Sequence, residues 1–251
     1  TSARITNTPF FEPDLAIGAS TVTIQPRQDE AGQRTVYVDA KDITLRAADV
    51  PFFYWPRARG EVDGNPLQDL RLENSSGSGT ALKTTWNAYV MAGAKPGTGT
   101  SADAMVDWYF DRGAAFGTAI KWDNSGANGG LFGYLLPHDT GQDVLQTGEK
   151  KAFDGQTRGM ILAEHVARLS EEWTLFAEGA YISDETFVDG FFDQMSKNRR
   201  EFTNALYARR LSEGTSLSLL GQTNLNDFIA NEYLKQTPGY TVDKYPEARY
   251  V

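Results

Sequence analysis

From residue 103 onward the chain alternates between apolar and polar positions. DAMVDWYF (103–110) sends Ala104, Val106, Trp108 and Phe110 to one side, and Asp103, Met105, Asp107 and Tyr109 to the other. AFGTAIKW (115–122) separates Phe116, Thr118, Ile120 and Trp122 from Gly117, Ala119 and Lys121. WTLFAEGAYI (173–182) separates Trp173, Leu175, Ala177, Gly179 and Tyr181 from Thr174, Phe176, Glu178 and Ala180, with an aromatic at each end of its apolar side. A period of two predicts half-buried strands, here with one apolar face and one face that holds charge. GMILAEHVARL (159–169) is apolar on both sides. Placing Glu164 on the polar face sends Ile161, Ala163, His165 and Ala167 to the apolar one.

Residues 1–60 alternate in shorter runs. TVTI (21–24), TVYVDA (35–40) and DITLRA (42–47) pair Val22 with Ile24, Val36 with Val38, and Ile43 with Leu45. DEAGQ (29–33) and AKD (40–42) read as turns between them. This predicts a small antiparallel sheet with one apolar face, and a division into residues 1–60 and 61–251. VPFFYWP (50–56) follows, three aromatics in a row plus a tryptophan, boxed by Pro51 and Pro56. Those prolines argue against a central strand or a helix interior, so the block reads as a connector. Residues 61–102 are looser, with NSSGSG (74–79) and AGAKPGTGTSAD (92–103) as loops and TTWNAYVMA (84–92) as a strand.

Connection lengths bear on what the apolar face meets. SEE (170–172) and SEG (212–214) sit in tight turns, whereas 137–157, 183–201 and 224–240 are long and polar. Long and tight alternate over five connections. Strands of about 9–11 residues, aromatic ends and this asymmetry favour a transmembrane barrel, apolar face to lipid, over a soluble sandwich. A charge on the lipid face near the midplane costs about 2–4 kcal/mol, which is why Glu164 is assigned inward. His165 is then the uncomfortable outward residue.

Composition narrows the partners. The 251 residues carry 24 Lys+Arg against 33 Asp+Glu, a net charge of −9, which disfavours nucleic acid. No cysteine is present, so no disulfide framework and no thiolate metal site. Two histidines, His138 and His165, are too few for a His-rich metal centre. No metal or cofactor is expected. The chain starts at TSARITNTPF and stops at YPEARYV, inside what reads as a strand, so it is expected to be a piece of a longer protein.

A strand module that ends in VPFFYWP and leads into barrel strands resembles the lipopolysaccharide-assembly outer-membrane protein family (LptD, also called OstA). The likeness extends to DWYFDRGAAFG (107–117), to TRGMILAEHVARLSEEWTLFAEGAYISDETFVDGFF (157–192) and to YPEARY (245–250). It covers most of residues 15–251 in element order, and VPFFYWP and 157–192 are its specific parts. The resemblance implies an all-β chain: the end of an N-terminal antiparallel, OstA-like β-jellyroll in the periplasm, followed by the first antiparallel strands of an outer-membrane β-barrel that opens laterally. It further implies lipopolysaccharide as cargo, outer-membrane lipids as surroundings, a lipoprotein plug inside the barrel and a periplasmic jellyroll bridge as partners. The chain departs from the family in three ways. It has no cysteines, its jellyroll is only about 60 residues long, and only about eight barrel strands follow from residue 84.

On this reading the expected function is non-catalytic transport. Ile17, Val22, Ile24, Val36, Val38, Ile43 and Leu45 would hold acyl chains, each buried CH₂ contributing about 0.8 kcal/mol. The same residues would equally serve as a packed core. Val50, Pro51, Phe52, Phe53, Tyr54, Trp55 and Pro56 would form a hinge at the membrane boundary, and the Gly-, Ser- and Pro-rich 61–92 a weak seam suited to a lateral gate. The alternatives are a passive porin or a barrel-borne lipid-modifying enzyme. For the enzyme, His138 beside Asp139 and mid-strand His165 are the only bases, and no nucleophile motif accompanies them. Asp184 and Glu185 read as a solvated loop face.

Overall fold

The computed structural model describes residues 3–6, 15–28, 34–47, 50–61, 66–144, 148–198, 201–226, 228 and 243–251. Over these the chain is all-β, with large antiparallel sheets and three short helices. It divides into two units, Thr1–Leu72 and Glu73–Val251.

The first unit holds a five-stranded sheet. β1 (Ala3–Thr6) pairs with β2 (Leu15–Ala19). β2 and β3 (Thr21–Gln28) then lie end to end along one edge of β4 (Arg34–Ala47), and β5 (Val50–Glu61) takes the other edge. The AKD stretch expected to turn at 40–42 instead runs through the middle of β4. What the sequence pattern registers there is a left-handed residue, Asp42, at φ 51°. Aspartate tolerates that conformation because its short polar side chain bonds locally. Ser20 Oγ donates to Asp42 Oδ2 at 2.6 Å and Tyr54 Oη donates to Oδ1 at 2.7 Å. VPFFYWP opens β5, which among the described residues pairs only with β4. An edge strand is where prolines are admitted, because their missing N–H can face away from the ladder. The ladder shifts by one residue between Leu45 and Arg46, opposite Pro51.

The second sheet has ten strands in chain order. They are β6 (Leu67–Ser75), β7 (Gly79–Asn87), β8 (Thr100–Tyr109), β9 (Gly113–Asp123), β10 (Ala127–Asp139), β13 (Gln156–Arg168), β14 (Trp173–Ile182), β15 (Asn204–Ser212), β16 (Thr215–Thr223) and β17 (Lys244–Tyr250). A separate hairpin, β11 (Gln142–Val144) with β12 (Lys150–Ala152), lies between β10 and β13. The sheet is open, with β6 and β17 at its edges. The expected strand over 84–92 stops at Asn87, whose side chain accepts from Val90 N at 3.1 Å and starts α1 (Ala88–Met91). The looser 61–102 region supplies two paired strands, β6 and β7. The β7–β8 ladder lacks bridge pairs at Lys83 and Thr84, where Thr84 N donates instead to Asp107 Oδ1 at 2.9 Å.

A meander of this kind sorts its connections by end. The strand ends joined by the connections after β6, β8, β10, β14 and β16 lie at one end, called upper here. Residues 88–99, 124–126, 169–172 and 213–214 lie at the lower end. The three longest connections are all upper. One of them carries α2 (Phe187–Phe191) and α3 (Asp193–Lys197), and its residues 183–198 fold over one face of the sheet. Phe187, Val188, Phe191 and Phe202 pack there with Tyr109, Tyr134, Leu136, Met160, Leu162 and Ile182.

Candidate functional site

Register separates the two faces of the ten-stranded sheet. On the outer face Val106 stands opposite Phe116 and Phe116 opposite Leu135. Ile120, Leu131, Ala163 and Gly179 form another row. Leu175, Ala208, Leu219 and Ala248 form a third. Apolar side chains here are exposed: Trp108 by 53%, Ile161 by 49% and Leu206 by 55%. Aromatics stand near both strand ends, with Trp108, Phe116 and Tyr181 above and Trp86, Trp122, Trp173 and Tyr250 below. A continuous apolar face of this extent is far larger than a water-exposed surface carries without a partner.

Several polar hydrogens on this face are bonded within the sheet. Trp86 Nε1 donates to Thr84 Oγ1 at 2.7 Å, and Thr84 Oγ1 donates to Val106 O. Thr118 Oγ1 donates to Asp103 O at 3.1 Å. From β7 to β17 the paired rows of this face bring only two charged or imidazole side chains among the described residues, His165 and Arg210. Arg210 is held by Glu172 at 2.8 Å. His165 is resolved by a neighbour: Trp122 Nε1 donates to His165 Nδ1 at 3.1 Å. The two stand in one row with Gly129 between them. Only glycine fits there, because a Cβ at 129 would lie 2.6 Å from the Trp122 ring and 2.2 Å from Glu164 O. Gly129→Ala should therefore displace the indole and break the bond, at a cost of about 1–3 kcal/mol. A red-shifted Trp122 emission and a lower unfolding midpoint would report it; an unaltered spectrum would contradict the contact.

The inner face holds the charge. Lys121, Gly130, Glu164 and Glu178 share one row. At the upper end this face meets a buried cluster. Arg112 donates to Asp139 Oδ2 at 3.0 Å and Asp143 Oδ1 at 2.8 Å. Arg158 donates to Asp139 at 2.7 Å, Asp143 at 2.8 Å and Asp184 at 2.8 Å. Thr186 Oγ1 donates to Asp143 Oδ2 at 2.6 Å. Arg112 also donates to the carbonyls of Gly77, Ser78 and Gln142. Phe153 covers the Arg158 guanidinium at 3.6 Å. Both arginines, Asp139 and Asp143 are essentially inaccessible to water.

Asp184 corrects the sequence reading: it is an ion-pair partner of Arg158, not part of a solvated face. Burial raises its pKa, but the hydrogen bonds and charge of Arg158 outweigh that and hold it at about 2. The folded pKa is depressed, so the stabilisation is complete above the unfolded value and is lost as pH falls through about 2. The shift corresponds to about 2 kcal/mol. Urea midpoints of the parent and Asp184→Asn should differ at pH 5 and converge towards pH 2; a gap independent of pH would refute the linkage. Glu185 lies 3.5 Å from Lys151 at the surface. His138 is exposed on β10 rather than in a loop. Among the described residues no group of His, Asp or Glu is placed to hold a metal ion.

In the first unit the register gathers part of the expected lipid-binding set. Val22 stands opposite Ala40, Ile24 opposite Val38 and Pro26 opposite Val36. Ile24 is 65% exposed, Val36 is exposed, and Val22 and Val38 are half-buried. Ile43 pairs in register with Trp55, and Ile17 with Leu45. The left-handed Asp42 stands between these rows and the first group, so one alternation does not run through all seven. The side chains of Ile17, Leu45, Val50, Phe52, Phe53 and Trp55 lie outside the described residues. Pro51, Tyr54 and Pro56 are exposed. Sequence reasoning missed the Arg112–Arg158 cluster, although both arginines lie in stretches that carry the family resemblance. Compared with protein-family models and with curated proteins, the chain matches none.

Proposed function

We propose that the chain moves lipopolysaccharide into the outer leaflet of a Gram-negative outer membrane, without chemistry. The ten-stranded sheet would be a length of barrel wall and the five-stranded sheet the end of a periplasmic jellyroll. One observation carries the membrane part: the outer face of β7–β17 is apolar, and the Trp86 and Trp122 indoles and the Thr84 and Thr118 hydroxyls on it are bonded within the sheet. Hydrocarbon imposes that accounting, since an unsatisfied polar group costs several kcal/mol there. The long connections at one end fit the asymmetry of outer-membrane barrels. β6 enters at the lower end, where a periplasmic module would join. The inner face is packed under Phe187, Val188, Phe191 and Phe202 at its upper end, which favours a gated route over an open pore.

The cargo rests on the family resemblance and on the apolar set of exposed Ile24 and Val36 with half-buried Val38. A lipoprotein plug on the inner face and a periplasmic jellyroll bridge at the five-stranded sheet are the partners this reading calls for. A photoreactive residue at Val38 should crosslink to lipopolysaccharide when the chain is incubated with it in detergent. One at Tyr37, its neighbour on the opposite face of β4, should not. Equal labelling at both positions, or none at either, would remove the groove and leave a barrel wall of porin type.

A further inference from the structure

Five neighbouring strands place one hydrogen-bond donor each in a single row of the inner face. Arg168 on β13 stands opposite Thr174 on β14, Thr174 opposite Arg209 on β15, Arg209 opposite Ser218 on β16, and Ser218 opposite Arg249 on β17. Strands lie about 4.8 Å apart, so an arginine recurs about every 10 Å along the row. The row runs near the lower strand ends, away from the 183–203 connection.

These arginines differ from the others in the sheet. Arg112, Arg158 and Arg210 are each held by carboxylates. Among the described residues no ion pair or side-chain hydrogen bond engages Arg168, Arg209 or Arg249. Arg209 Nε is shut off from water and has no partner. A buried donor left unbonded is costly and calls for an explanation. Shortage of acid is not one, since the chain has nine more acidic than basic residues. Between the arginines stand hydroxyls rather than carboxylates. Glu247, two residues before Arg249, forms no ion pair with it.

The adjacent row is of different chemistry. It reads Val166, Phe176, Tyr207, Leu220 and Glu247. The Phe176 and Tyr207 rings lie 5.7 Å apart, tilted by 44°, and Phe176 is exposed. An aromatic pair of this kind offers a flat apolar platform to the C–H face of a sugar ring. Guanidinium groups match phosphate oxygens with paired donors.

We propose that this row binds the phosphates of a phosphorylated sugar head group, with the ring set against Phe176 and Tyr207. The assignment rests on the glycolipid reading for the source of that head group. The probe is a fluorescein-labelled glucosamine disaccharide with two phosphates, followed by anisotropy with the chain folded in detergent micelles at low salt. Arg209→Gln should weaken binding at least about tenfold and Arg209→Lys by less. The pair Arg168→Gln with Arg249→Gln should weaken it about as much as Arg209→Gln. Arg210→Gln, on the outer face, should leave it unchanged. The dephosphorylated disaccharide should bind at least about tenfold more weakly. Undiminished binding by the triple glutamine variant, or equal affinity for the dephosphorylated sugar, would overturn the proposal. Pyrophosphate binding as tightly as the disaccharide would overturn its sugar half. Quenching of tryptophan by brominated lipid separates this from the reading beneath it. A chain quenched in bilayers that fails to bind the probe loses the donor row and keeps the barrel wall. A chain that binds but is not quenched does the reverse.

Discussion

Arg158→Leu should cost the ten-stranded unit about 3–5 kcal/mol, the range for breaking a buried ion pair by removing one partner. Arg158 bonds to Asp139, Asp143 and Asp184 at 2.7–2.8 Å, and it is buried with the first two. Without it, Arg112 alone faces two inaccessible carboxylates, and Asp184 loses the group that holds its pKa at about 2. Urea unfolding in micelles, followed by tryptophan emission, should show a large drop in midpoint. Arg158→Lys should recover only part, because an ammonium is a point charge and cannot serve three carboxylates with a planar fork. Adding Asp139→Asn to Arg158→Leu should restore some stability by removing one stranded charge. A midpoint unmoved by Arg158→Leu would mean the cluster contributes nothing to holding the upper end.

On the proposed barrel-wall reading, Ile161→Arg should nearly abolish insertion into bilayers. Residue 161 lies near the middle of β13 on the outer face and is half exposed. An arginine at that depth facing lipid costs about 2–4 kcal/mol. Ala205→Arg provides the contrast, because residue 205 stands on the inner face opposite Glu178 and its charge would remain in water. The folded fraction in lipid vesicles, read from heat-modifiable mobility on gels, should fall sharply for Ile161→Arg and little for Ala205→Arg. Equal losses would show that the two faces meet the same solvent.

Legibility in the sequence followed bulk. Strands 103–110, 115–122 and 173–182 could be read because large apolar residues alternate with charge. β10 could not, because ANGGLFGYLLPHD puts glycine at 129, 130 and 133, where the pattern needs side chains. Gly129 is there for the Trp122 indole, a tertiary demand that no local window contains. AKD was read as a turn because one left-handed aspartate and a turn look alike in composition. The prolines of VPFFYWP argued correctly against a central strand, yet an edge strand satisfies the same constraint, and only the pairing with β4 distinguishes it from a connector. The charge cluster was invisible for a different reason. Arg112, Asp139, Asp143, Arg158 and Asp184 come from separate connections and strand ends, and each alone resembles a solvated surface residue. The resemblance drew attention to the segments around Arg112, Arg158 and Asp184 but not to their meeting.

The same cluster sets an order of assembly. Every pairing within the ten-stranded sheet joins strands consecutive along the chain, apart from the excursion through β11 and β12. Such a sheet can grow one hairpin at a time, with short loops to close at each step. The cluster cannot. It links the carbonyl of Gly77 to Thr186 through Arg112 and Asp143, and so it forms only after β14 and the turn beyond it exist. Until then Arg112 and Asp139 remain in water, and the upper end stays open. Closure over the inner face is then a late event in folding. A chain interrupted before residue 184 would have the seven strands from β6 to β14 that belong to this sheet and lack its cap.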